Sequence, residues 1–512
     1  MKDTIRIPDE ILSLILEHCL EDPEVYHNFL SGNSPITEYR FKHHPHLLRS
    51  QLARVSRRWK EVLEHTPAAW SYIYFSPKKS YQQKHFADNL SIFQDLLLKS
   101  GTCTVVLVVN LIPRTANLWP MESWQPFADL VALHGSRLRI LSIKPWHISL
   151  NMALERLSDS SLSKLEGLDA GNIVRSQLPL IMSNSTNLPL HTLMLTFVGR
   201  LDRFPVTTLL FLRHIYIRNA GPNAAGGIGM LPLCHNLEVL LWHDDVSTPR
   251  GSPMPFPPFK LPRLKTLNIK WSDLDVVMPL FASLTVPKLQ VLHLHSLPSQ
   301  SAFFTALGHL LLSGRRKNTS TVCLNIHNSE LNMDIVGSII PSLSKLQLIS
   351  LESCTINPNF FLALKDKAAS LQYLTIMSSN LSDQALQQSF HDFVLARVKP
   401  DQTDSTADVE AGMPDDRLVT KITLNSCVIY HGKETNALQQ IQRDYKQTVS
   451  FLWTVRINTP PSPRPPRPRP RLVNGICDIC RSFGIYVVIG VSIGLIVLSF
   501  LGNKLRKKNP QS

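Results

Sequence analysis

The residues that could do chemistry are few, and most have an ordinary structural explanation. Trp242-His243-Asp244-Asp245 is the most reactive-looking cluster, an imidazole next to two carboxylates that could move a proton. It falls where a strand gives way to a turn, and polar residues belong there on structural grounds alone. His43, His44 and His46 could ligate a metal or could be solvated loop residues. Cys477 and Cys480 form a lone CxxC with no second pair nearby, so no zinc site is expected. Lipidation beside a membrane, or two plain thiols, are the other readings. Gly226-Gly227-Ile228-Gly229 is glycine-rich but lacks a phosphate-binding context. GxxxxGK(S/T), GxSxG and HExxH do not occur. The expectation is a non-catalytic chain without metal or cofactor. A hydrolase would have to show activity in the purified protein alone.

The composition narrows the class. The chain has 512 residues, enough for about three domains. Its 44% apolar and 18% charged content excludes a wholly disordered chain. Eight Cys are too few for a disulfide scaffold. The formal charge is +14, but ten Lys/Arg against one Asp fall between Arg456 and Ser512. The body shows no basic, aromatic-studded concentration, so no nucleic-acid partner is expected.

Phe483 to Leu501 is nineteen residues without a charge. As a helix it would span roughly 28 Å, the thickness of a bilayer core. Arg481 precedes it, and Lys504, Arg506, Lys507 and Lys508 follow in a basic tail, 502–512. The start, MKDTIRIPDE, has no apolar signal sequence. These features predict a single-pass tail anchor over residues 483–501, with residues 1–482 in the cytosol and the organelle unspecified. The sequons at Asn184 and Asn318 should then be silent. Gly490 and Gly494 form a GxxxG pair that could pack helices closely. Ahead of the anchor lies a linker, 456–482, in which Thr459 to Arg471 holds seven Pro and four Arg. It should be a disordered, extended polyproline spacer, able also to touch anionic lipid or an aromatic groove.

Between the termini one pattern recurs, LxxLxL. Copies begin at Leu212, Leu237, Leu264, Leu289, Leu346 and Leu371, with degenerate ones at Leu138, Leu190, Thr321 and Val419. From Leu190 to Leu371 successive starts are 22 to 32 residues apart. Eight residues after the start, several copies place a small polar residue, followed two later by an apolar one. The pairs are Ser272/Leu274, Ser329/Leu331, Cys354/Ile356, Ser379/Leu381 and Cys427/Ile429. Such a side chain fits inside the turn after a strand and can bond stacked backbone. The copies at 190, 212, 237 and 289 depart, with Val198, Ala220, Asp245 and Leu297 there. The period and pattern resemble leucine-rich repeats. The resemblance implies an α/β fold, a solenoid over residues 79–455 whose neighbours stack to bury a leucine ladder. Gly251 to Pro258 reads as a Pro-rich return, and 399–417 as an acidic flexible loop. Val105 to Asn110 looks like a strand, and the aromatics around it could cap the solenoid.

Residues 1–78 form a separate helical module. Ile7-Pro8-Asp9-Glu10-Ile11-Leu12 opens a helix, with Pro where a missing N–H costs little. Ile11, Leu12, Ile15 and Leu16 line one face. A second helix is expected over about Leu48 to Leu63, where Leu52, Val55, Trp59 and Val62 make an apolar stripe. Arg57-Arg58-Trp59 and Trp70 complete an outline that resembles the F-box, in its divergent F-box-like form. The segment Glu21 to Leu47 is longer than that outline's usual link. The resemblance implies contact with a Skp1-like adaptor of cullin-containing ubiquitin ligases, through Ile7, Pro8, Ile11, Leu12, Ile15, Leu52 and Val55. Trp59 is expected in the core. The chain is thus expected to be the membrane-anchored substrate-recognition subunit of a Skp1–cullin–F-box ligase. The adaptor would bind the module, and an unknown protein substrate the concave face of the repeats. The alternative is a membrane-tethered scaffold that does not engage cullin.

Overall fold

Pro8 and the acidic pair Asp9-Glu10 start the first helix, α1 (Asp9–Leu20). Acidic side chains in a first turn favour the positive end of the helix dipole, and the Pro8 carbonyl accepts the Leu12 N–H at 3.0 Å. The expected second helix is two helices, α2 (Pro45–Ala53) and α3 (Arg57–Glu64). Ser56 divides them. Its backbone is extended, and its hydroxyl accepts the Trp59 N–H, capping α3. An apolar stripe that runs on through a capping serine hides this break. Leu12, Leu16, Leu20, Leu52, Val62, Leu63 and Ala69 make the module's core, with Trp59 packed against it.

The other described residues form one mixed α/β body. The computed structural model describes residues 7–20, 45–76, 83–110, 121–144, 162–170, 188–196, 201, 204–218, 229–243, 257–270, 274–297, 301–312, 321–331, 345–398, 419–430, 440–441, 443–445 and 448–456. Each of the ten LxxLxL segments carries a strand, and four more strands join them in one sheet. In chain order these are β1 (Tyr72–Phe75), β2 (Val105–Asn110), β3 (Leu138–Lys144), β4 (Gly167–Ala170), β5 (Thr192–Thr196), β6 (His214–Arg218) and β7 (Val239–His243). There follow β8 (Thr266–Lys270), β9 (Val291–His295), β10 (Cys323–His327), β11 (Leu348–Glu352), β12 (Tyr373–Met377), β13 (Lys421–Tyr430) and β14 (Val449–Arg456). All pair in parallel, each with its neighbours in chain order.

Parallel strands need a return between them. Helices occupy several of these returns: α4 (Gln83–Lys99), α5 (Met121–Leu133), α6 (Val206–Phe211), α7 (Leu274–Ser283), α8 (Ser301–Leu312), α9 (Pro358–Lys367) and α10 (Gln384–Arg397). The register lines Leu193, Ile215, Leu240, Leu267, Leu292, Leu324, Ile349, Leu374 and Ile422 into one buried ladder. A buried Leu or Ile contributes about 1.5–3 kcal/mol, and each depends on the strand beside it. At the N-terminal end Phe75, Phe93 and Phe127 pack with ring centres 5.1 Å apart, Phe127 stacking on the other two, and Trp124 edge-on to Phe127.

The turns after the later strands repeat. Ser296, Asn328, Ser353 and Ser378 follow β9 to β12, all at φ between 48° and 55°. Their N–H groups donate to the carbonyls of His327, Glu352, Met377 and Asn425 on the next strand. The next residue in three of these turns is small and polar. Ser329 Oγ accepts the Leu297 N–H and donates to the His327 carbonyl. Ser379 Oγ does the same between the Cys354 N–H and the Met377 carbonyl. The Cys354 and Cys427 thiols donate to the carbonyls of Ile326 and Ile376 on the preceding strand. Ser272 lies outside the described residues.

The expected tail anchor needs correction. Among the described residues no helix is long and apolar enough to cross a membrane. The longest described helix, α4, has 17 residues and carries Asp88, Asp95 and Lys99, which a bilayer core would not accept. The chain divides into Met1–Ile457 and Asn458–Ser512, and all of the second unit lies outside the described residues. The expectations for residues 483–501, the Pro/Arg stretch, Cys477/Cys480 and Gly490/Gly494 fall there. The tail-anchored localisation is withdrawn. The acidic segment 399–417 also lies outside the described residues.

Candidate functional site

Helix α1 carries two apolar stripes. Leu12, Leu16 and Leu20, four residues apart, point into the module. Ile11 and Leu14, three apart, point outward and are 38% and 57% exposed. Val55, in the link before α3, is 59% exposed. Arg58 of α3 donates to the Asp9 carboxylate and the Ile7 carbonyl, which brings the start of α3 beside the start of α1. Helix α1 and the link before α3 therefore present outward apolar side chains on the module.

The expected contact residues separate into two groups. Pro8, Ile11 and Val55 are exposed, and Ile7 and Ile15 are half-buried. Leu12 and Leu52 are turned into the core, at 1% and 5% exposure, so they shape the face from beneath. Leu14 was missed. Its signal is present, since it stands three residues after Ile11, but the expected face of Ile11, Leu12, Ile15 and Leu16 passes over it.

The module is fastened to the sheet. Trp70 packs against the module's core and against the sheet's core. Its indole N–H donates to the Leu63 carbonyl at 2.8 Å. Arg49 lies over one side of the ring system at 5.1 Å, and the Lys99 ammonium lies 4.8 Å from the same ring centre. Arg49 Nε donates to the Ala69 carbonyl and Nη2 to the Tyr72 carbonyl, where β1 begins. Burial lowers the Arg49 pKa to about 10, so it keeps its charge at neutral pH.

The sheet's second face changes character along the chain. Over β3 to β7 it is closed, with Ile140, Met194, Tyr216, Val239 and Leu241 in a second buried cluster. From β8 to β11 residues alternate between the core and this second face, where they are half-exposed. Asn268, His293, His295, Asn325, His327, Ser350 and Glu352 stand on it. His243 of the Trp242-His243-Asp244-Asp245 cluster joins them, its Nε2 2.8 Å from Asn268 Oδ1. Trp242 points the other way, into the core. Asp244 and Asp245 lie outside the described residues, as do His43 and His44. Among the described residues no group of three His, Cys, Asp or Glu could hold a metal ion.

Residues 2–91 match the F-box-like domain family. An F-box-like domain thus forms the helical start of this mixed α/β chain and suits a role in protein–protein interaction. No curated protein matches the chain.

Proposed function

We propose that this chain is a non-catalytic receptor subunit of a Skp1–cullin–F-box type ubiquitin ligase. Its helical module docks on a Skp1-like adaptor, and its sheet takes a protein substrate. The observation that carries the reading is the outward stripe of α1, Ile11 and Leu14 with Val55, on an F-box-like domain. Exposed apolar side chains on short helices suit a helix-in-groove contact. Leucine-rich repeats are the reading we favour for residues 79–455, following a module that ends near residue 78. It is supported by the buried ladder, the repeated left-handed turn and the Ser/Cys bonds to stacked backbone. The receptor's contribution to rate is proximity, holding substrate lysines near the ubiquitin donor.

Affinity purification of the full chain beside Ile11→Asp/Leu14→Asp tests this. Both residues are exposed, so the variant keeps its fold. Adaptor and cullin recovered with the wild type alone is the expected result. Recovery of the adaptor without cullin would favour a scaffold. Equal recovery with both chains would refute the α1 contact.

A further inference from the structure

The strands from β8 to β13 are entered along one stacked rim. Just before each strand an N–H donates to the carbonyl of its counterpart on the strand before, at 2.7–2.9 Å. The chain of bonds runs from Glu238 through Lys265, Gln290, Val322, Gln347 and Gln372 to Thr420. This rim is basic. Arg263, Lys288 and Lys345 stand two residues ahead of the bonded positions on β8, β9 and β11, and all three are exposed. Lys260, which pairs with Thr285, and Lys421, the register partner of Tyr373, are exposed beside them. Neighbouring strands lie about 4.8 Å apart, so the rim from Arg263 to Lys421 is roughly 24 Å long.

The rim has cations to spare. Its entering segments 259–265, 284–290, 345–347, 368–372 and 419–421 contain no Asp or Glu. Glu238, on the strand before, is tied to Lys265 in an ion pair, and Asp366 stands on α9 ahead of the β12 entry. Lys260, Arg263, Lys288, Lys345 and Lys421 make no ion pair among the described residues. The acid that could balance them is close in the chain. Residues 399–417 hold Asp401, Asp404, Asp408, Glu410, Asp415 and Asp416 against Lys399 and Arg417, six acids to two cations. The Val419 N–H donates to the Arg397 carbonyl at 2.7 Å, which fixes both ends of this segment together where β13 is entered.

Reach agrees with charge. Lys345 is two strands from that entry point, about 10 Å, and Lys288 four strands, about 19 Å. Ten extended residues span up to about 33 Å, so the middle of the segment, Asp408 and Glu410, can meet either lysine. We propose that the basic rim of Arg263, Lys288, Lys345 and Lys421 is the docking site for this chain's own acidic segment, residues 399–417. Tethering at both ends gives the segment an effective concentration on the order of mM at the rim. An acidic sequence from another protein must displace it to bind there, so the segment is an internal competitor that sets a threshold for such partners. The ion pairs are exposed, and salt weakens them. The inference goes beyond the receptor reading and needs neither adaptor nor cullin.

The test is carbodiimide coupling of the full chain, which joins a carboxylate to a lysine amine at ion-pair range, read by peptide mass spectrometry. An equal mixture of isotope-labelled and unlabelled chains separates coupling within one chain from coupling between two. The expected result is couples from Asp404, Asp408 or Glu410 to Lys288 and Lys345 within one chain, lost at about 1 M salt, where the screening length is about 3 Å. A segment held by the basic C-terminal stretch would couple to Lys504, Lys507 or Lys508 instead. No couple to Lys288 or Lys345, or couples to them only between chains, would overturn the proposal. A second readout is fluorescence anisotropy of a labelled oligoglutamate peptide. Asp404→Asn/Asp408→Asn/Glu410→Gln removes the competitor, so the peptide should bind about tenfold tighter than to the wild type. Adding Lys288→Gln/Lys345→Gln, both exposed positions, should cancel that gain. Equal affinity for the wild type and the segment variant would also overturn it.

Discussion

Trp70→Phe should loosen the join between the helical module and the sheet while leaving each core largely packed. The indole N–H bond to the Leu63 carbonyl is lost, while that carbonyl keeps the Thr66 N–H at 3.3 Å. That loss costs about 1.5 kcal/mol. Phe offers a weaker face to Arg49 and Lys99 than Trp does, which removes roughly 0.5 kcal/mol more. The smaller ring leaves space between the two cores, worth about 1 kcal/mol. The total is about 3 kcal/mol, a factor of about 100 in the local opening equilibrium. Amide hydrogen exchange reads this locally. Val62, Leu63 and Ile73 should exchange about 100-fold faster, with the ladder around Leu292 and Leu324 unchanged. Arg49→Met should speed the same amides, since it removes two bonds to Ala69 and Tyr72 as well as the cation. Protection within about threefold of wild type in Trp70→Phe would refute the reasoning, because the ring would then carry none of the join.

Arg397→Met tests a second clamp. The guanidinium, buried at 4% exposure, donates to the carbonyls of Leu364, Lys365, Ala368 and Ala369, the open end of α9. Losing it should cost about 3 kcal/mol by denaturant titration, and Arg397→Lys should recover less than half, lacking the planar fork. Ser379→Ala should cost about 1–2 kcal/mol, because the buried Cys354 N–H loses its hydroxyl acceptor. Thermal melting checks this, and an unchanged midpoint would count against the turn's role. Acid should destabilise the sheet. His214 and His293 are held down to about 4 and His295 to about 3, in each case chiefly by burial. The unfolded chain takes up protons near pH 6.5 that the native chain refuses, so stability falls as pH drops from there toward 4. The loss is on the order of 2 kcal/mol at pH 5 for one such group. Denaturation midpoints at several pH values check it, and a flat profile would contradict it.

The strands were legible because their signal is strong and local. LxxLxL places two side chains per strand in the ladder, and the pattern survives at ten sites. β1, β4 and β14 escaped because they lack it. Gly167-Leu168-Asp169-Ala170 has one ladder residue and a fully buried Asp, bonded to Ser142. The break between α2 and α3 was hidden by an apolar spacing that continues through Ser56. The register line of Arg218, His243, Lys270, His295 and His327 was invisible for a different reason. Its members lie 25 to 32 residues apart and become neighbours only through the register. A count of charge along the chain finds the C-terminal excess and passes over a row spread across five strands.

Each strand in this sheet touches only the strands before and after it in the chain. The described strands therefore follow one another across the sheet without a skipped position. Force applied at the β14 end meets one strand interface at a time, and the molecule should lengthen in small steps. A chain so arranged can lose or gain a strand unit at one place without re-routing the rest. Its length is then free to drift while the spacing between its helical start and any given strand stays set by counting.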